Sequence, residues 1–306
     1  MASADEAAYV FEAHRGYLTA VAYRMLGTLA DAEDAVQEAY LRFARADLDE
    51  IREPRGWLTT AISRICLDHL GSARVRREQY VGPWLPEPLV GSDVGLGMAP
   101  LTPEDRITLD ESVSMAMLVV LESLSPTERT AFVLHDVLSL PYEEVANTVG
   151  RSEAACRQLI SRAREHVREK APRFTVDARQ QNAVVEAFLA ACADGRVDTL
   201  VEVLAPEVVL RSDGGGLVSG VARRPVVGAE NVARLLLGVA AKHAAFPWMR
   251  RVNGATGLVF ESEDGVAGVM AFTVHSGRIA EIDFVVNPEK LSRVRLPSRA
   301  SADEVD

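Results

Sequence analysis

The stretch "SLPYEEVANTVGRSEAACRQLISRAREHVRE", residues 139–169, decides how the front of this 306-residue chain is to be read. Its first helix, "YEEVANTV", stops at Gly150, which has no Cβ and so permits the left-handed turn that closes a helix. Ser152 then stands where an N-cap belongs. The second helix carries Ala155, Leu159 and Ile160 on one side, facing Ala146 and Val149 of the first. Its other side carries Arg151, Arg157, Gln158, Ser161, Arg162, Arg164 and Arg168. Two short helices joined by a glycine turn, the second of them basic, predict a helix-turn-helix. In that motif residues near the start of the second helix reach base edges in the major groove, and later arginines meet phosphates. A solvated bundle face shares the charge but not the coincidence of glycine turn, serine cap and Arg/Gln/Ser face.

Upstream of this motif, "LTPED" (101–105) and "LSPTE" (124–128) each combine a Ser/Thr cap, a first-turn proline and a following glutamate. They predict helices over about 104–123 and 126–137, followed by 141–149 and 152–170. At the N-terminus, Val10, Tyr17, Leu18, Val21, Ala22 and Met25 recur at helical spacing over residues 5–28 until Gly27 and Thr28 interrupt them. Asp31 opens a second helix with the stripe Ala35, Val36, Ala39, Tyr40 and Phe43, and acids in its first turn suit the helix dipole. Residues 47–54 read as a polar loop, and 55–78 as a third helix with a basic end. After Pro172 the texture changes. Helices over 177–195 and 197–206 are followed by alternating β-type segments at 207–213, 247–254, 256–265, 266–277 and 278–287. Asp-Gly and Ser-Gly turn signals separate several of them, and one helix over 228–244 interrupts the series. The polar tail after Leu291 lacks periodicity and is expected to be disordered.

Between the third N-terminal helix and the helices that resume at about residue 104 lies "YVGPWLPEPLVG", residues 80–91, with prolines at 83, 86 and 88. Proline fixes φ and offers no amide donor, so this stretch is extended rather than helical. Trp84, Leu85 and Leu89 make it unlike a bland tether.

The formal net charge of −11 excludes a free-standing, non-specific nucleic-acid binder but not a reader with a local basic face. No apolar run approaches the roughly 20 residues of a membrane span, and the acidic N-terminus predicts no export signal. Cys66, Cys156 and Cys192 lie far apart in apolar helical contexts, with no CxxC pair. They are read as buried thiols of a cytoplasmic protein, with no metal site and no cofactor.

In combination these segments are distinctive. "LGTLADAEDAVQEAYLRFAR" (26–45), "RGWLTTAISRICLDHL" (55–70) and residues 124–169 resemble regions 2 and 4 of the extracytoplasmic-function (ECF) sigma factors of bacterial RNA polymerase. "WLPEPL" (84–89), "DGGG" (213–216) and "NPEKL" (287–291) resemble the motifs of a subgroup that carries a C-terminal SnoaL-like domain. The resemblance implies a multidomain fold: two all-α sigma domains, a region 2 bundle over 1–79 and a region 4 helix-turn-helix over 104–172. A Pro/Gly-rich linker over 80–103 joins them. An α+β SnoaL-like (NTF2-like) cone over 173–291 and a tail over 292–306 follow. It implies a non-enzymatic subunit that binds core RNA polymerase at the β′ clamp and β flap and directs initiation at promoter DNA with minus-10 and minus-35 elements. The helix carrying Asp31, Asp34, Gln37 and Glu38 would meet polymerase. Trp57, Arg74, Arg76 and Arg77 would serve the minus-10 element. Arg151, Ser152, Arg157, Gln158, Ser161, Arg162 and Arg164 would serve the minus-35 element. Two departures stand out: Gly71 occupies a position that is commonly basic, and Leu217 follows "DGGG" where lysine is usual.

The motif residues Trp84, Leu85, Pro86 and Glu87, with Asp213, Gly214, Gly215 and Gly216, and Asn287, Pro288, Glu289 and Lys290, are expected to form one regulatory contact. In it the linker docks on the back domain, near the other two motifs, in place of a separate anti-sigma partner. A stiff segment loses little entropy on docking. Packing of Trp84 on its neighbouring helices is the competing expectation, as is core packing of Trp57. A small-molecule ligand in the back domain stays open. So do two other functions: a ligand-responsive helix-turn-helix regulator, and a cyclase or isomerase fused to a DNA-binding module. An acid/base pair for the last would come from Asp213, His243, His275 and Asp283.

Overall fold

The structure, a computed structural model, describes residues 4–91, 114–170, 177–243 and 245–295. Two compact units emerge. Residues 4–79 and 114–170 form one, and residues 80–91 together with 177–295 form the other.

The first unit is all-helical. α1 (Ala4–Leu26), α2 (Leu29–Phe43) and α3 (Pro54–Glu78) pack as a bundle around Phe11, Leu18, Val21, Val36, Phe43, Leu58 and Ile62, all buried. α2 begins two residues before the expected Asp31. Thr28 is its N-cap, and its hydroxyl accepts from the Asp31 amide and donates to the Asp31 carboxylate. The loop over 47–54 contains one 3-10 turn, Leu48–Glu50.

The second half of this unit contains α4 (Met115–Glu122), α5 (Pro126–Phe132), a π turn (Val133–Val137), α6 (Tyr142–Val149) and α7 (Glu153–Lys170). The expected helix over 104–123 is seen from Met115; residues 104–113 lie outside the described residues. The helix expected over 126–137 is α-helical only to Phe132, then widens into the π turn. Ser125 and Glu128 form a capping box at α5. Arg129 of α5 is fully buried. It bonds Glu122 and donates to the Arg24 carbonyl near the end of α1. Burial lowers its pKa to about 9. Arg64 of α3 donates to the Asn147 carbonyl of α6 at 2.8 Å. The two halves of the first unit are therefore packed together.

The second unit is α+β. α8 (Ala178–Asp194), α9 (Val197–Val203) and α10 (Ala229–Ala240) cover one face of a six-stranded sheet. Its strands are β1 (Leu204–Asp213), β2 (Val226–Val227), β3 (Phe246–Val252), β4 (Ala255–Ser262), β5 (Gly265–His275) and β6 (Arg278–Val285), in the order β2-β1-β6-β5-β4-β3. Among the described residues, only the β1–β6 pairing is parallel. The β3–β4 and β5–β6 hairpins turn on Asn253–Gly254 and Ser276–Gly277, all four at positive φ, as two-residue turns between right-twisted strands require. Val184, Phe188, Leu210, Leu258, Met270, Phe272 and Ile282 fill the space between helices and sheet. The two-residue strand β2 and a final turn of helix, α11 (Pro288–Leu291), carry too little periodicity for the sequence to announce them. Of the tail expected to be disordered, residues 292–295 are described and Val294 is buried; residues 296–306 lie outside the described residues.

Candidate functional sites: a basic helix face and a buried linker dock

On α2 the 3.6-residue period sends Ala32, Ala35, Val36, Ala39 and Phe43 inward. It leaves Asp34 and Gln37 exposed, with Leu41 exposed beside them. Asp31 is half-buried in its cap. Glu38 pairs with Arg42 at 2.5 Å and lies 3.7 Å from His69. The exposed face is thus Asp34, Gln37 and Leu41 flanked by Glu38, and Leu41 is a contributor that charge-based reading passes over. Trp57 is half-buried, its ring 5.5 Å from that of Phe43, so part of the indole serves the core. Arg74, Arg76 and Arg77 lie on α3, but their side chains fall outside the described residues.

The helix-turn-helix is formed by α6 and α7. Gly150 closes α6 at φ 71, ψ 39, and the Ser152 hydroxyl accepts from the Ala155 amide. The shared core is Ala131, Leu134, Val145, Ala146, Cys156 and Ile160, with Val149 and Leu159 partly buried against it. Ala155 was expected in this contact, but Cys156 takes the place. The buried stripe of α7 runs Cys156, Ile160, Ala163, Val167, one residue out of phase with Ala155. Arg151, Ser152, Arg157, Gln158, Ser161, Arg162, Arg164 and Arg168 are all exposed on the other side. Arg157 pairs with Glu153 at 2.9 Å, and Arg164 with Asp136 at 2.5 Å.

The linker has a different character. Leu85, Pro86, Glu87 and Pro88 are buried, and Trp84 is half-buried. Asp213, at the end of β1, points away from the face that Leu210 gives to the core, and it is fully buried. Its carboxylate accepts from the Tyr80 hydroxyl at 2.6 Å, the Leu85 amide at 2.8 Å, the Gly215 amide at 3.1 Å and Lys290 Nζ at 2.7 Å. Lys290 also donates to the Leu85 carbonyl and lies 4.0 Å from the centroid of the Trp84 ring and 5.2 Å from that of Tyr80. Asn287 caps α11 through the Glu289 amide and donates to the Tyr80 hydroxyl at 2.9 Å. Burial and the bond to anionic Asp213 push the Tyr80 pKa up, so the phenol stays a neutral donor. At the far end, the Leu89 amide donates to Asn253 Oδ1, the Asn253 amide to the Leu89 carbonyl, and the Gly91 amide to the Arg251 carbonyl. Val90 thereby bridges to Val252 on β3, an edge strand of the sheet.

The glycines of "DGGG" have a physical reason. Gly215 and Gly216 sit at φ 61 and 75. A Cβ on Gly215 would lie 2.5 Å from Asn287 Nδ2, and one on Gly216 3.0 Å from Val81 Cβ. They admit the close approach of the linker rather than mere flexibility. Leu217 is 61% exposed beyond this turn. The structure therefore brings Trp84, Leu85, Asp213, Gly215, Gly216, Asn287 and Lys290 together. Pro86 and Glu87 are buried alongside, Pro288 and Glu289 build the first turn of α11, and Gly214 packs on Val221. Leu89, expected as an apolar anchor, is only half-buried and is held through its backbone. Tyr80 and Asn253 were missed. The Asn-Gly pair at 253–254 signalled a turn but not its use as a dock.

The candidates for acid/base chemistry have different surroundings. Asp213 is the hub just described. Asp283 is buried beside Arg211 at 3.0 Å, and burial raises its pKa to about 6 against the pull of that guanidinium. His243 and His275 are exposed. Cys66 and Cys156 are buried and Cys192 is half-buried. Among the described residues, no helix is long and apolar enough to cross a membrane.

Comparison with known proteins bears on both sites. The family model for Sigma-70 region 2 matches residues 10–76, and that for Sigma-70 region 4 matches residues 114–167. The probable ECF RNA polymerase sigma factor SigI of Mycobacterium tuberculosis is 38% identical over 298 residues, covering 96% of this chain and 98% of the relative. The ECF RNA polymerase sigma factor SigJ of the same organism is 40% identical over 301 residues, 94% of each chain. The crystal structure of M. tuberculosis SigJ superimposes with a TM-score of 0.74 at 38% identity, covering 93% of this chain and 98% of that one. With identity of this order along nearly the whole length, sigma regions and α+β unit alike, the chain belongs to the extracytoplasmic-function RNA polymerase sigma factors.

Proposed function

We propose that the chain is an alternative sigma factor. It binds core RNA polymerase, directs initiation at specific promoters, and is regulated in cis by its α+β unit acting on the 80–91 linker. The observation that carries the cis-regulatory part is the buried Asp213 centre. It holds the segment joining the two sigma regions through the Leu85 amide, the Leu85 carbonyl and Tyr80.

In this reading the Asp34, Gln37, Glu38 and Leu41 face of α2 meets the β′ clamp of polymerase, and the second sigma region meets the β flap. The exposed face of α7 reads the minus-35 element. The basic end of α3, with Trp57, serves the minus-10 element. The α+β unit acts without chemistry of its own, and work beside polymerase places the protein in the cytoplasm. A stand-alone helix-turn-helix regulator has no use for the first sigma region.

The test is run-off transcription by purified core polymerase supplied with the chain. Promoter-specific transcripts are expected. Asp34→Asn together with Glu38→Gln should weaken binding to core without lowering the unfolding midpoint. A folded double mutant with unchanged affinity for core would overturn the α2 assignment. In the same assay, changes at Trp84 or truncation after about residue 172 should alter transcript yield.

A further inference from the structure

We propose that Tyr142 and Asp136, which lie outside the recognition helix, determine what two of its arginines do on DNA. Tyr142 aims Arg157 at a base edge, and Asp136 withholds Arg164 from the phosphate backbone. The inference rests on the promoter-reading role of α7 proposed above.

The arrangement starts at the π turn. A π turn inserts one residue into a helix and re-aims the side chains around it. Here it closes through the Leu138 amide on the Val133 carbonyl. Ser139 follows at φ 57, and the Leu140 amide returns to the Leu134 carbonyl. His135 and Asp136 are thereby placed beside the start of α6. His135 Nδ1 lies 2.8 Å from the Leu140 carbonyl oxygen, which can only accept, so Nδ1 carries the proton and the ring is fixed. The imidazole packs on Tyr142, centroids 4.1 Å apart and planes 32° from parallel. The Arg157 guanidinium rests on the same Tyr142 ring, 4.8 Å from its centroid, while Nη2 is held by Glu153 at 2.9 Å.

A guanidinium stacked on a ring and tied at one nitrogen keeps its plane fixed. A bidentate contact to a guanine edge needs that plane fixed, and pre-setting it spares the entropy of ordering a long side chain. Arg164, seven residues and about two turns along the same stripe, is treated differently. Asp136 takes both Nε and Nη2, at 2.8 and 2.5 Å. That bond raises the Arg164 pKa and cancels its charge locally. A neutralised arginine displaces no counterion from DNA.

The experiment uses full-length chain with core polymerase and a promoter library randomised in the upstream element, with binding also measured against salt. Wild type should enrich one sequence. Tyr142→Leu should lose about tenfold of preference at the base position read by Arg157. Tyr142→Phe, which keeps the ring face, should retain that preference. Arg157→Lys keeps the charge without the planar fork and should match Tyr142→Leu, which covers the case in which the leucine variant does not fold. Asp136→Asn should steepen the slope of log K against log salt by about 0.9, one additional phosphate contact. If wild type enriches a sequence, and the Tyr142 and Arg157 variants enrich the same one with an unchanged Asp136→Asn slope, the positioning role is wrong. If wild type enriches nothing, the promoter-reading assignment of α7 falls, and this inference with it.

Discussion

The face of α7 and the Asp213 centre both consist of charged and polar groups, yet they are opposite kinds of site. On α7, Arg157 and Glu153 are 57% and 47% exposed; around Asp213, the carboxylate is 0% and Lys290 8% exposed. Exposed ion pairs contribute between zero and about 1 kcal/mol each, because water and salt screen them and long side chains lose entropy in forming them. Apart from Arg164, which Asp136 holds at two nitrogens, such a face can turn to phosphates and base edges at little cost. A buried carboxylate is different. Its attraction for a partner only offsets desolvation, and removing one partner leaves the other charged and unsolvated. One face is built to exchange partners. The other holds a single arrangement closely, and any process that frees the linker from it must replace the bonds of Tyr80 and the Leu85 amide to Asp213, of Asn287 to Tyr80 and of Lys290 to the Leu85 carbonyl.

The sharpest way to break this contrast is Asp213→Ala. It removes the counter-charge of Lys290 and the acceptor of the Tyr80 hydroxyl and should lower the stability of the α+β unit by about 3–5 kcal/mol, read from urea unfolding. Lys290→Met should cost less, because Asp213 keeps three donors and the methionine can still pack on Trp84. Equal losses from the two changes would mean that Asp213 is not the hub.

On α7 the expectation reverses. Arg157→Ala and Arg162→Ala should leave the unfolding midpoint nearly untouched, within about 0.5 kcal/mol. Each should remove about 1–3 kcal/mol of discrimination between the preferred upstream element and a mismatched one. A fall in stability without loss of discrimination would make these arginines structural.

A smaller effect separates buried from exposed carboxylates within the α+β unit. The folded pKa of Asp283 is raised to about 6 from an ordinary 3.8. Its folded form therefore binds protons more tightly than its unfolded form, and the stability this gives is lost as pH rises through about 6. Between pH 7 and pH 5 wild type should gain about 1 kcal/mol relative to Asp283→Asn, measured by chemical unfolding at each pH. A difference that does not vary with pH would show Asp283 ionised throughout that range.

The two sites were also unequally legible in sequence. The helix-turn-helix is local: period, Gly150 and Ser152 lie within one short stretch, so its helices follow from propensity and capping. The one error there, Ala155 for Cys156, is a phase slip that only the packing partner corrects. Likewise the start of α2 was misplaced because both Thr28 and Asp31 are good caps, and the structure uses them together. The dock joins residues 128 to 207 positions apart, from Leu85–Asp213 to Tyr80–Asn287. No local rule connects them. Prolines and an otherwise unexplained tryptophan marked one side, and resemblance supplied the other. Tyr80 and Asn253 act as single polar groups without periodicity; Tyr80 left no trace, and Asn253 showed only as half of an Asn-Gly turn.

The central proposal is that the linker is a docked ligand of its own α+β unit and that this docking competes with the path the linker takes on core polymerase. Hydrogen exchange at the Leu85, Leu89 and Gly91 amides tests it most directly, since each donates to a group of that unit. These amides should be strongly protected in the free chain and exchange rapidly once the chain is bound to core polymerase and promoter DNA. Fast exchange in the free chain, or protection that persists unchanged in the transcribing complex, would contradict the account.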